Sequence, residues 1–279
     1  MPELPEVERG RKIAAAAAEG KKIAHVICRR DEIVFDGVSP NRWNNALGNK
    51  TVREVHRIGK QIWFELDSPP HPLFHFGMTG AFRMPGRLDL PLASRPSPDP
   101  HEAWPPRFTK IHLFFEDGGE LVMTNARRLG RILLRDDPLH EPPISRLGFD
   151  PLLGMITPTQ FRERAERRQT AIKNLLMDQS FCAGVGNWIA DEVLYQAGVD
   201  PRRRASGLAS QELERVRRRL RAVVKLAVRV DADKSRFPAD WLFHVRWGKN
   251  EKARTLEGNR VEFLQIGGRT SAWVPARQK

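Results

Sequence analysis

The sequence predicts an α+β protein, with strand patterns in its first half and helical patterns in its second. Residues 110–126 contain two β-rich runs joined by the tripeptide DGG, which is a hairpin signal. Residues 210–230 instead place apolar side chains at helical spacing. Prolines cluster between these two halves, and we therefore place the domain boundary within residues 138–150.

The composition is that of a globular, strongly basic protein. Its 279 residues, 40% of them hydrophobic, can build two domain cores without a metal or a disulfide. The net charge of +13 indicates a polyanionic partner, and nucleic acid is the most common one inside cells. Cys28 and Cys182 lack the spacing of a zinc site or a disulfide framework. This cysteine usage indicates an intracellular protein. No stretch approaches the roughly 18 apolar residues of a membrane span, so we expect a soluble protein with no membrane partner.

The chain opens with MPELPEVERGRKI, in which Glu3 and Glu6 flank Pro5. Pro5 suits the first turn of a helix, and acidic residues there suit the helix dipole. If Met1 is removed, Pro2 presents a secondary amine, of which roughly a tenth is neutral and nucleophilic near neutral pH. The stretch fits either an ordinary helix start or a nucleophilic amino terminus.

Further elements follow in order along the chain. The opening helix should end near Gly20, and the runs QIWFELD and GRILLRD predict strands. The proline-rich residues 84–107 predict a long surface loop without regular structure. In the second half, one helix should bury an apolar stripe that leaves its arginines in solvent. That stripe consists of Leu213, Val216, Leu220, Val223 and Val224.

Two apolar helices flank the sequence AGVGN. Gly184 and Gly186 permit a tight turn there, and Asn187 is placed to cap the second helix. A helix N-terminus beside a glycine turn can bind phosphate, and Lys173 could add a positive charge. An ordinary helical hairpin would explain the same pattern.

A second turn lies near the carboxyl end, where Gly267-Gly268 joins two short β-like runs. Arg269 follows the turn directly. An arginine at a hairpin tip can bind a phosphate with both arms of its guanidinium, whereas one on a strand face covers apolar surface. The pattern alone favours the second, structural interpretation.

Together these stretches resemble the formamidopyrimidine-DNA glycosylase and endonuclease VIII family over nearly the whole chain. PELPEVE resembles its catalytic amino terminus, HFGMTG its intercalating-methionine loop, NARRLGR its intercalating-arginine loop, and GVGNWIADEVLYQAG its helix-two-turn-helix. DADKSRFPADWLFH and GGRTSAWVP resemble the plant and fungal branch, whose terminal hairpin keeps the zinc-finger shape without zinc. The resemblance implies a β-sandwich domain over residues 1–137, a linker over 138–150, a helix-two-turn-helix domain over 151–230 and a zincless finger region over 231–279.

The resemblance also implies an activity, that of a bifunctional DNA glycosylase and abasic-site lyase of base-excision repair that needs no metal or cofactor. Pro2 would attack C1′ of the damaged nucleotide and form a Schiff base, from which β,δ-elimination cleaves the strand. Glu3 is the candidate proton carrier. Glu6, whose pKa the helix dipole should lower, would stay ionised and position the amine. Lys60 would hold the phosphate beside the lesion.

The resemblance further implies how the duplex is held. Met78, Arg127 and Leu129 would fill the gap left by a flipped base, with Arg127 contacting the orphaned partner base. Leu129 stands where a phenylalanine is usual, and leucine stacks less well on bases. The phosphate clamps around the lesion would be Lys173, Asn187 and Arg269.

The expected partner is damaged double-stranded DNA, bound by a monomer in the bacterial cytoplasm or in a eukaryotic nucleus or organelle. Residues 230–250 look shorter than the glycine-rich loop that closes over 8-oxoguanine in many bacterial relatives. We therefore expect poor excision of 8-oxoguanine beside efficient excision of formamidopyrimidines and hydantoins opposite cytosine. Two alternatives stay open, an endonuclease VIII-like preference for oxidised pyrimidines and a non-catalytic DNA-binding protein.

Overall fold

The computed structural model describes residues 2–87 and 102–279. The chain divides into two compact units, Met1–Arg146 and Leu147–Lys279, here called unit 1 and unit 2. This division falls inside the proline-containing stretch 138–150.

The described ranges contain helices, strands and short 3-10 turns. The helices are α1 (Leu4–Ala18), α2 (Pro40–Leu47), α3 (Pro158–Glu166), α4 (Ile172–Met177), α5 (Asn187–Ala197) and α6 (Ser210–Arg229). The strands are β1 (Ile23–Cys28), β2 (Val52–Ile58), β3 (Gln61–Leu66), β4 (His71–His75), β5 (Ala81–Arg83), β6 (Thr109–Phe115), β7 (Glu120–Thr124), β8 (Arg131–Arg135), β9 (Glu262–Ile266) and β10 (Arg269–Trp273). The 3-10 turns are Ile144–Arg146, Ala205–Gly207, Lys234–Arg236 and Leu242–His244.

Helix α1 begins where the sequence predicted. Pro5 lies in its first turn, and Glu6 Oε2 accepts a hydrogen bond of 3.0 Å from the backbone N–H of Glu3. A run of alanines continues the helix, because alanine has the highest helix propensity. At Gly10 a Cβ would come within 2.6 Å of the Phe76 ring, so α1 packs directly on the residue that follows β4.

The strands of unit 1 form two four-stranded antiparallel sheets, in the orders β1-β6-β7-β5 and β2-β3-β4-β8. The predicted hairpin is the β6–β7 pair, in which Leu113 pairs with Leu121. The two further predicted strands are β3 and β8. Apolar side chains from α1 and from both sheets, such as Val7, Ile62 and Leu113, meet in one core. The predicted β-sandwich with a leading helix is therefore confirmed.

The predicted proline-rich loop, residues 84–107, is described at its two ends, and residues 88–101 lie outside the described residues. Residues 84–87 and 102–107 contain no helix or strand. Glu102 fixes the second end, because its carboxylate accepts a hydrogen bond of 2.9 Å from the Arg107 backbone and pairs with Arg83 at 2.6 Å.

Unit 2 is mainly helical. Helix α6 buries the predicted apolar stripe, on which Leu213, Leu220 and Val224 are at most 1% exposed. Helices α3 and α5 pack against α6, and α4 packs against α5. The predicted helical domain and its apolar stripe are confirmed, as is the α+β class of the whole chain.

The predicted terminal hairpin is the β9–β10 pair. Gly267 and Gly268 form its turn with φ values of 55° and 72°, the left-handed conformation that a two-residue hairpin turn requires. Ile266 pairs with Arg269 across this turn. A Cβ at Gly267 would lie 2.3 Å from the Asn174 side chain, so the turn packs closely against α4.

Sequence reasoning missed β1, α2, β2, β4, β5 and α3. Strand β5 has only three residues, and the proline in β4 at position 72 weakens its strand signal. Within the described ranges, no helix combines the length and apolar character that crossing a membrane would require.

Candidate active site and nucleic-acid interface

The first turn of α1 gathers the predicted catalytic residues of the amino terminus. Pro2 and Glu3 are buried, and the Glu6 carboxylate lies against the Glu3 backbone. Withdrawal from water, followed by the negative charge of Glu3, raises the pKa of Glu6 to about 7. The expectation that the helix dipole lowers the pKa of Glu6 is therefore wrong, because these two effects outweigh the hydrogen bonds that favour the ionised form.

Lys60 lies in the turn between β2 and β3, and a buried ion pair connects this turn to α1. Arg57 is 3% exposed and donates from Nε to Glu8 Oε2 over 2.8 Å. Its Nη1 donates to the carbonyl of Gly59 at 2.9 Å. Glu8 also accepts a hydrogen bond of 2.9 Å from Arg11. These contacts fix the turn that carries Lys60 relative to the helix that carries the two amino-terminal carboxyls.

Sequence reasoning missed Glu8 and Arg57, although a signal was present. Glu8 follows Leu4 by four residues and so shares the buried face of α1. A carboxylate on a buried face needs a cationic partner. The partner, Arg57, is 49 residues away in sequence, and local patterns do not identify it.

His75 lies between the Lys60 turn and the methionine loop. Burial, with smaller contributions from the positive charges of Lys60 and Arg131, lowers the pKa of His75 to about 4. Its ring is therefore neutral near physiological pH, and Nδ1 accepts a hydrogen bond of 3.2 Å from the backbone N–H of Gly77. The neutral His75 ring therefore holds the start of the loop that carries Met78. It carries no positive charge that would compete with Lys60 for an anion.

The methionine loop (residues 76–80) and the arginine loop (residues 125–130) pack against each other. Asn125 is fully buried and donates from Nδ2 to the Phe76 carbonyl at 2.9 Å, while its Oδ1 accepts from the N–H of Gly130 at 3.3 Å. A Cβ at Gly77 would lie 2.3 Å from the Leu129 backbone. The close approach of the two loops therefore requires glycine at this position.

This packing brings three predicted intercalating residues to one place in unit 1. Met78 is partly exposed, Arg127 is exposed, and Leu129 is 47% exposed. The backbone N–H of Arg127 donates to the Thr79 hydroxyl at 3.3 Å and so joins the two loops directly. An exposed leucine beside an arginine and a methionine gives the apolar and polar groups that a wedge into a base stack needs.

Lys173 does not lie at the surface. Its side chain is 0% exposed, and Nζ is 2.7 Å from Asp191 Oδ1. It also contacts the Ser271 hydroxyl and donates to the Thr270 carbonyl at 3.4 Å. The prediction of Lys173 as a phosphate clamp is therefore wrong for this structure, because the ammonium is buried and neutralised.

Asp191 is the centre of this buried network. It is 1% exposed, and its Oδ2 lies 2.7 Å from Arg246 Nη2 and accepts from the N–H of Ala272 at 3.1 Å. The carboxylate thus joins α5 to β10 and to the segment before β9. Sequence reasoning missed Asp191 and Arg246, which are 55 residues apart.

Asn187 is the first residue of α5, and the N-cap is Gly186. The prediction that the Asn187 side chain caps the helix is wrong. Its Nδ2 instead donates to the carbonyl of Thr270 at 2.9 Å, next to Arg269, which is exposed at the start of β10. The structure therefore places Asn187 and the Arg269 turn on the same junction of helix and hairpin.

One metal-like cluster occurs within the described ranges. Ligand atoms of Glu54, His56 and Glu65 lie within 4.8 Å of one another on β2 and β3. His56 Nε2 and Glu65 Oε2 are 2.8 Å apart, so a hydrogen bond accounts for their proximity. At the terminal hairpin, residues 231–279 contain no cysteine, and the thiolates of a zinc finger are absent from the sequence.

Three family models match the chain in sequence order. The formamidopyrimidine-DNA glycosylase N-terminal domain matches residues 1–132, and the formamidopyrimidine-DNA glycosylase H2TH domain matches residues 147–239. The formamidopyrimidine-DNA glycosylase-like C-terminal domain matches residues 241–275.

The similar curated proteins and solved structures agree with these family models. A formamidopyrimidine-DNA glycosylase of Arabidopsis thaliana is 42% identical, over 100% of this chain and 71% of that protein. One of Exiguobacterium is 32% identical over 100% of both chains. The fold is similar to that of the Lactococcus lactis formamidopyrimidine-DNA glycosylase bound to DNA containing an abasic site, with a TM-score of 0.81, 20% identity and 99% coverage of both chains.

Proposed function

This chain belongs to the formamidopyrimidine-DNA glycosylase family, and we propose that it is a bifunctional glycosylase and abasic-site lyase acting on oxidised bases in duplex DNA. The observation that carries this proposal is the amino-terminal turn of unit 1. There Pro2 precedes two carboxyls on a helix that Glu8 and Arg57 connect to the Lys60 turn.

The proposed reaction begins once removal of Met1 frees the Pro2 nitrogen. Its lone pair attacks C1′, the bond from C1′ to the base breaks, and the base leaves with the bonding electrons and takes up a proton from solvent. Glu6 accepts the proton that the amine loses, because burial and the charge of Glu3 raise its pKa and so make it a stronger base than an ordinary carboxylate.

The second step opens the sugar. The nitrogen lone pair forms the C1′ iminium while the bond from C1′ to O4′ breaks, and O4′ takes a proton that Glu3 relays from solvent. The cationic Schiff base then acidifies the C2′ proton, which the ionised Glu3 takes up as the C3′–O bond breaks. A second elimination, in which water takes up the C4′ proton, breaks the C5′–O bond. Lys60 supports this step by holding the adjacent phosphate.

The two loops of unit 1 and the hairpin of unit 2 supply the proposed DNA contacts. Met78, Arg127 and Leu129 replace the flipped nucleotide in the stack, which offsets part of the few kcal/mol that unstacking costs. Arg269 contacts a phosphate from the hairpin tip, and Asn187 holds the strand that carries it.

Lesion choice is proposed to favour formamidopyrimidines and hydantoins over 8-oxoguanine. Residues 231–250 support this, because they pack into an aromatic cluster in place of a long loop. The Phe237 and Phe243 rings lie 4.9 Å apart and 5.7 Å and 5.2 Å from Trp188, and Glu192 accepts a hydrogen bond of 2.9 Å from the Phe243 N–H. A segment held in this way has little freedom to cover a flipped base.

Borohydride trapping tests the proposed chemistry. Protein whose intact mass shows loss of Met1 should form a covalent adduct with a duplex containing an abasic site and should cleave it without metal. A matched form with an uncleaved amino-terminal tag should bind the same duplex without forming the adduct. Binding without trapping by the processed protein would favour a non-catalytic DNA-binding protein.

A panel of lesions tests the substrate class. Single-turnover rates opposite cytosine should be high for formamidopyrimidines and hydantoins and low for 8-oxoguanine. Equal rates for 8-oxoguanine and formamidopyrimidine would overturn the proposed lesion choice, and preferential excision of oxidised pyrimidines would favour the endonuclease VIII-like alternative.

A further inference from the structure

We propose that Asp31 is a positioning residue for the arginine loop, which it holds through Arg128 and so aims Arg127 at the partner base. This inference rests on the proposed function and extends it to a residue outside the motifs of the family. It assigns Asp31 to recognition of the base opposite the lesion and gives it no part in the chemistry at C1′.

The contact between Asp31 and Arg128 joins residues 97 positions apart in sequence. Arg128 Nε lies 3.2 Å and 3.1 Å from the two carboxylate oxygens, and Nη2 lies 3.1 Å from Oδ1. Two nitrogens of one guanidinium therefore engage one carboxylate, which fixes direction as well as distance. A lysine ammonium could not reproduce this fork.

The carboxylate itself is held firmly. The Asp31 side chain is 5% exposed, Lys110 Nζ lies 2.7 Å from Oδ2, and Oδ1 accepts from the N–H of Val34 at 3.2 Å. Burial raises the pKa of Asp31, but hydrogen bonds from Arg128 and Lys110 outweigh it and lower the pKa to about 2. The loop is therefore anchored to a fixed negative charge throughout the physiological pH range.

The backbone explains why the loop needs such an anchor. Arg128 has a φ of 54°, the left-handed conformation that side chains other than glycine rarely adopt. With Arg128 held back by Asp31, its neighbours Arg127 and Leu129 are both exposed. Asn125 joins the two ends of the arginine loop through Gly130 and connects the loop to Phe76 of the methionine loop, and Asp31 fixes its middle.

The proposed contact of Arg127 with the partner base depends on this anchor. Hydrogen bonds to a base edge weaken steeply when the donor moves or turns, so a loop released at Arg128 loses discrimination before it loses general DNA affinity. Chemistry at C1′ uses α1 and the Lys60 turn, which do not contain Asp31.

The test compares an abasic site opposite cytosine with an abasic site opposite a second, baseless position. Wild-type protein should cleave the first about tenfold faster, because one base contact is worth roughly that factor. Asp31→Asn should reduce this ratio towards one, while its cleavage opposite the baseless position stays within about twofold of wild type. Arg127→Ala should also reduce the ratio, but it should slow cleavage of both duplexes because it removes a proposed wedge side chain. Lys110→Met, which removes the other cation on Asp31 from outside the loop, should keep the wild-type ratio.

A binding measurement separates failure of this inference from failure of the proposed chemistry. Dissociation constants for duplexes with an uncleavable tetrahydrofuran site opposite cytosine or adenine require no catalysis. An Asp31→Asn protein with the wild-type cytosine preference would overturn the inference. Equal losses on every duplex would also overturn it, because Asp31 would then support the unit as a whole. A wild-type protein that shows the preference without borohydride trapping would instead count against the proposed chemistry alone.

Discussion

Each unit contains an aspartate that accepts contacts from two cations, and the two sites differ in their exposure to water. Asp31 in unit 1 pairs with Lys110 and with Arg128, whose side chain is 51% exposed. Asp191 in unit 2 pairs with Lys173 and Arg246, whose side chains are 0% and 4% exposed. One network opens to solvent, and the other is sealed within its unit.

The difference determines what each network can do. Charges sealed from water cannot be rehydrated when a partner is removed, so breaking the Asp191 network leaves two cations buried without compensation. Arg128 can turn into solvent if Asp31 is lost, and the cost is correspondingly smaller. The sealed network therefore maintains the hairpin architecture, whereas the open one sets the local geometry of a loop.

The largest expected effect is on folding stability. Asp191→Ala should lower the free energy of unfolding by about 3–5 kcal/mol, because Lys173 and Arg246 lose their shared anion. Urea denaturation measures this change. Glu166→Ala is the control, since Glu166 and its partner Arg162 are both about half exposed, and it should change stability by about 0.5 kcal/mol or less. A loss below about 1 kcal/mol in Asp191→Ala would remove the distinction between the two networks.

The neighbouring acid in α5 sharpens the comparison, because it lacks the cationic setting of Asp191. Glu192 is 0% exposed and accepts from neutral donors, the Phe243 N–H at 2.9 Å and Gln196 Nε2 at 2.8 Å. Burial raises its pKa from 4.5 to about 7, so its stabilising contribution is fully present below 4.5 and is lost as pH rises through 7.

Glu192→Gln should abolish this pH dependence. Between pH ~4.5 and ~8, wild-type protein should lose about 3 kcal/mol more stability than the variant. Denaturation midpoints at the two pH values give the difference. Parallel curves for the two proteins would show that Glu192 ionises as readily in the folded chain as in the unfolded one.

Asp31 should show the opposite pH dependence. Its pKa is lowered from 3.8 to about 2, so its contribution is fully present above 3.8 and is lost as pH falls through 2. We expect Asp31→Asn to reduce stability near neutral pH by about 2 kcal/mol and to lie closer to wild type in strong acid. Acid titration of both proteins measures this, and a stability difference that is constant with pH would contradict it.

The smallest expected effect is on DNA binding, in which the exposed Arg269 and the buried Lys173 should behave differently. Arg269→Ala should weaken binding of damaged and undamaged duplexes alike and reduce the salt slope by about one phosphate contact. Lys173→Met should leave the salt slope unchanged, because the Lys173 ammonium is paired with Asp191. Asn187→Ala should weaken binding through loss of its contact with Thr270. Affinities over a series of salt concentrations decide these points, and an unchanged slope in Arg269→Ala would make the hairpin tip purely structural.

Local sequence signals predicted the elements with a local cause. Pro5 marked the start of α1, and glycine pairs marked the hairpins between β6 and β7 and between β9 and β10. The periodicity of α6 predicted its buried stripe. The motifs also predicted which residues would share the two loops of unit 1, because each loop is a continuous stretch of chain.

Predictions failed where a property depends on a distant partner. Lys173 was wrongly predicted to bind a phosphate. The partners that bury and neutralise its ammonium, Asp191 and Ser271, lie 18 and 98 residues further along the chain. The pKa of Glu6 depends on burial that the helix dipole argument does not include. Asn187 bonds to Thr270, 83 residues away, in place of its own helix. The spacing of residues along the sequence does not reveal tertiary contacts of this kind.

The sealed Asp191 network of unit 2 also affects how well the protein would resist oxidation. A zinc-bound finger depends on thiolates, which peroxide oxidises, whereas the carboxylate, ammonium and guanidinium groups around Asp191 resist it. Burial also raises the pKa of the Cys28 thiol to about 12, which keeps it in its unreactive form, and Cys182 is buried. Partly exposed Met78 is the vulnerable sulfur of the proposed wedge, so a Met78→Leu protein should keep its DNA affinity through peroxide treatment.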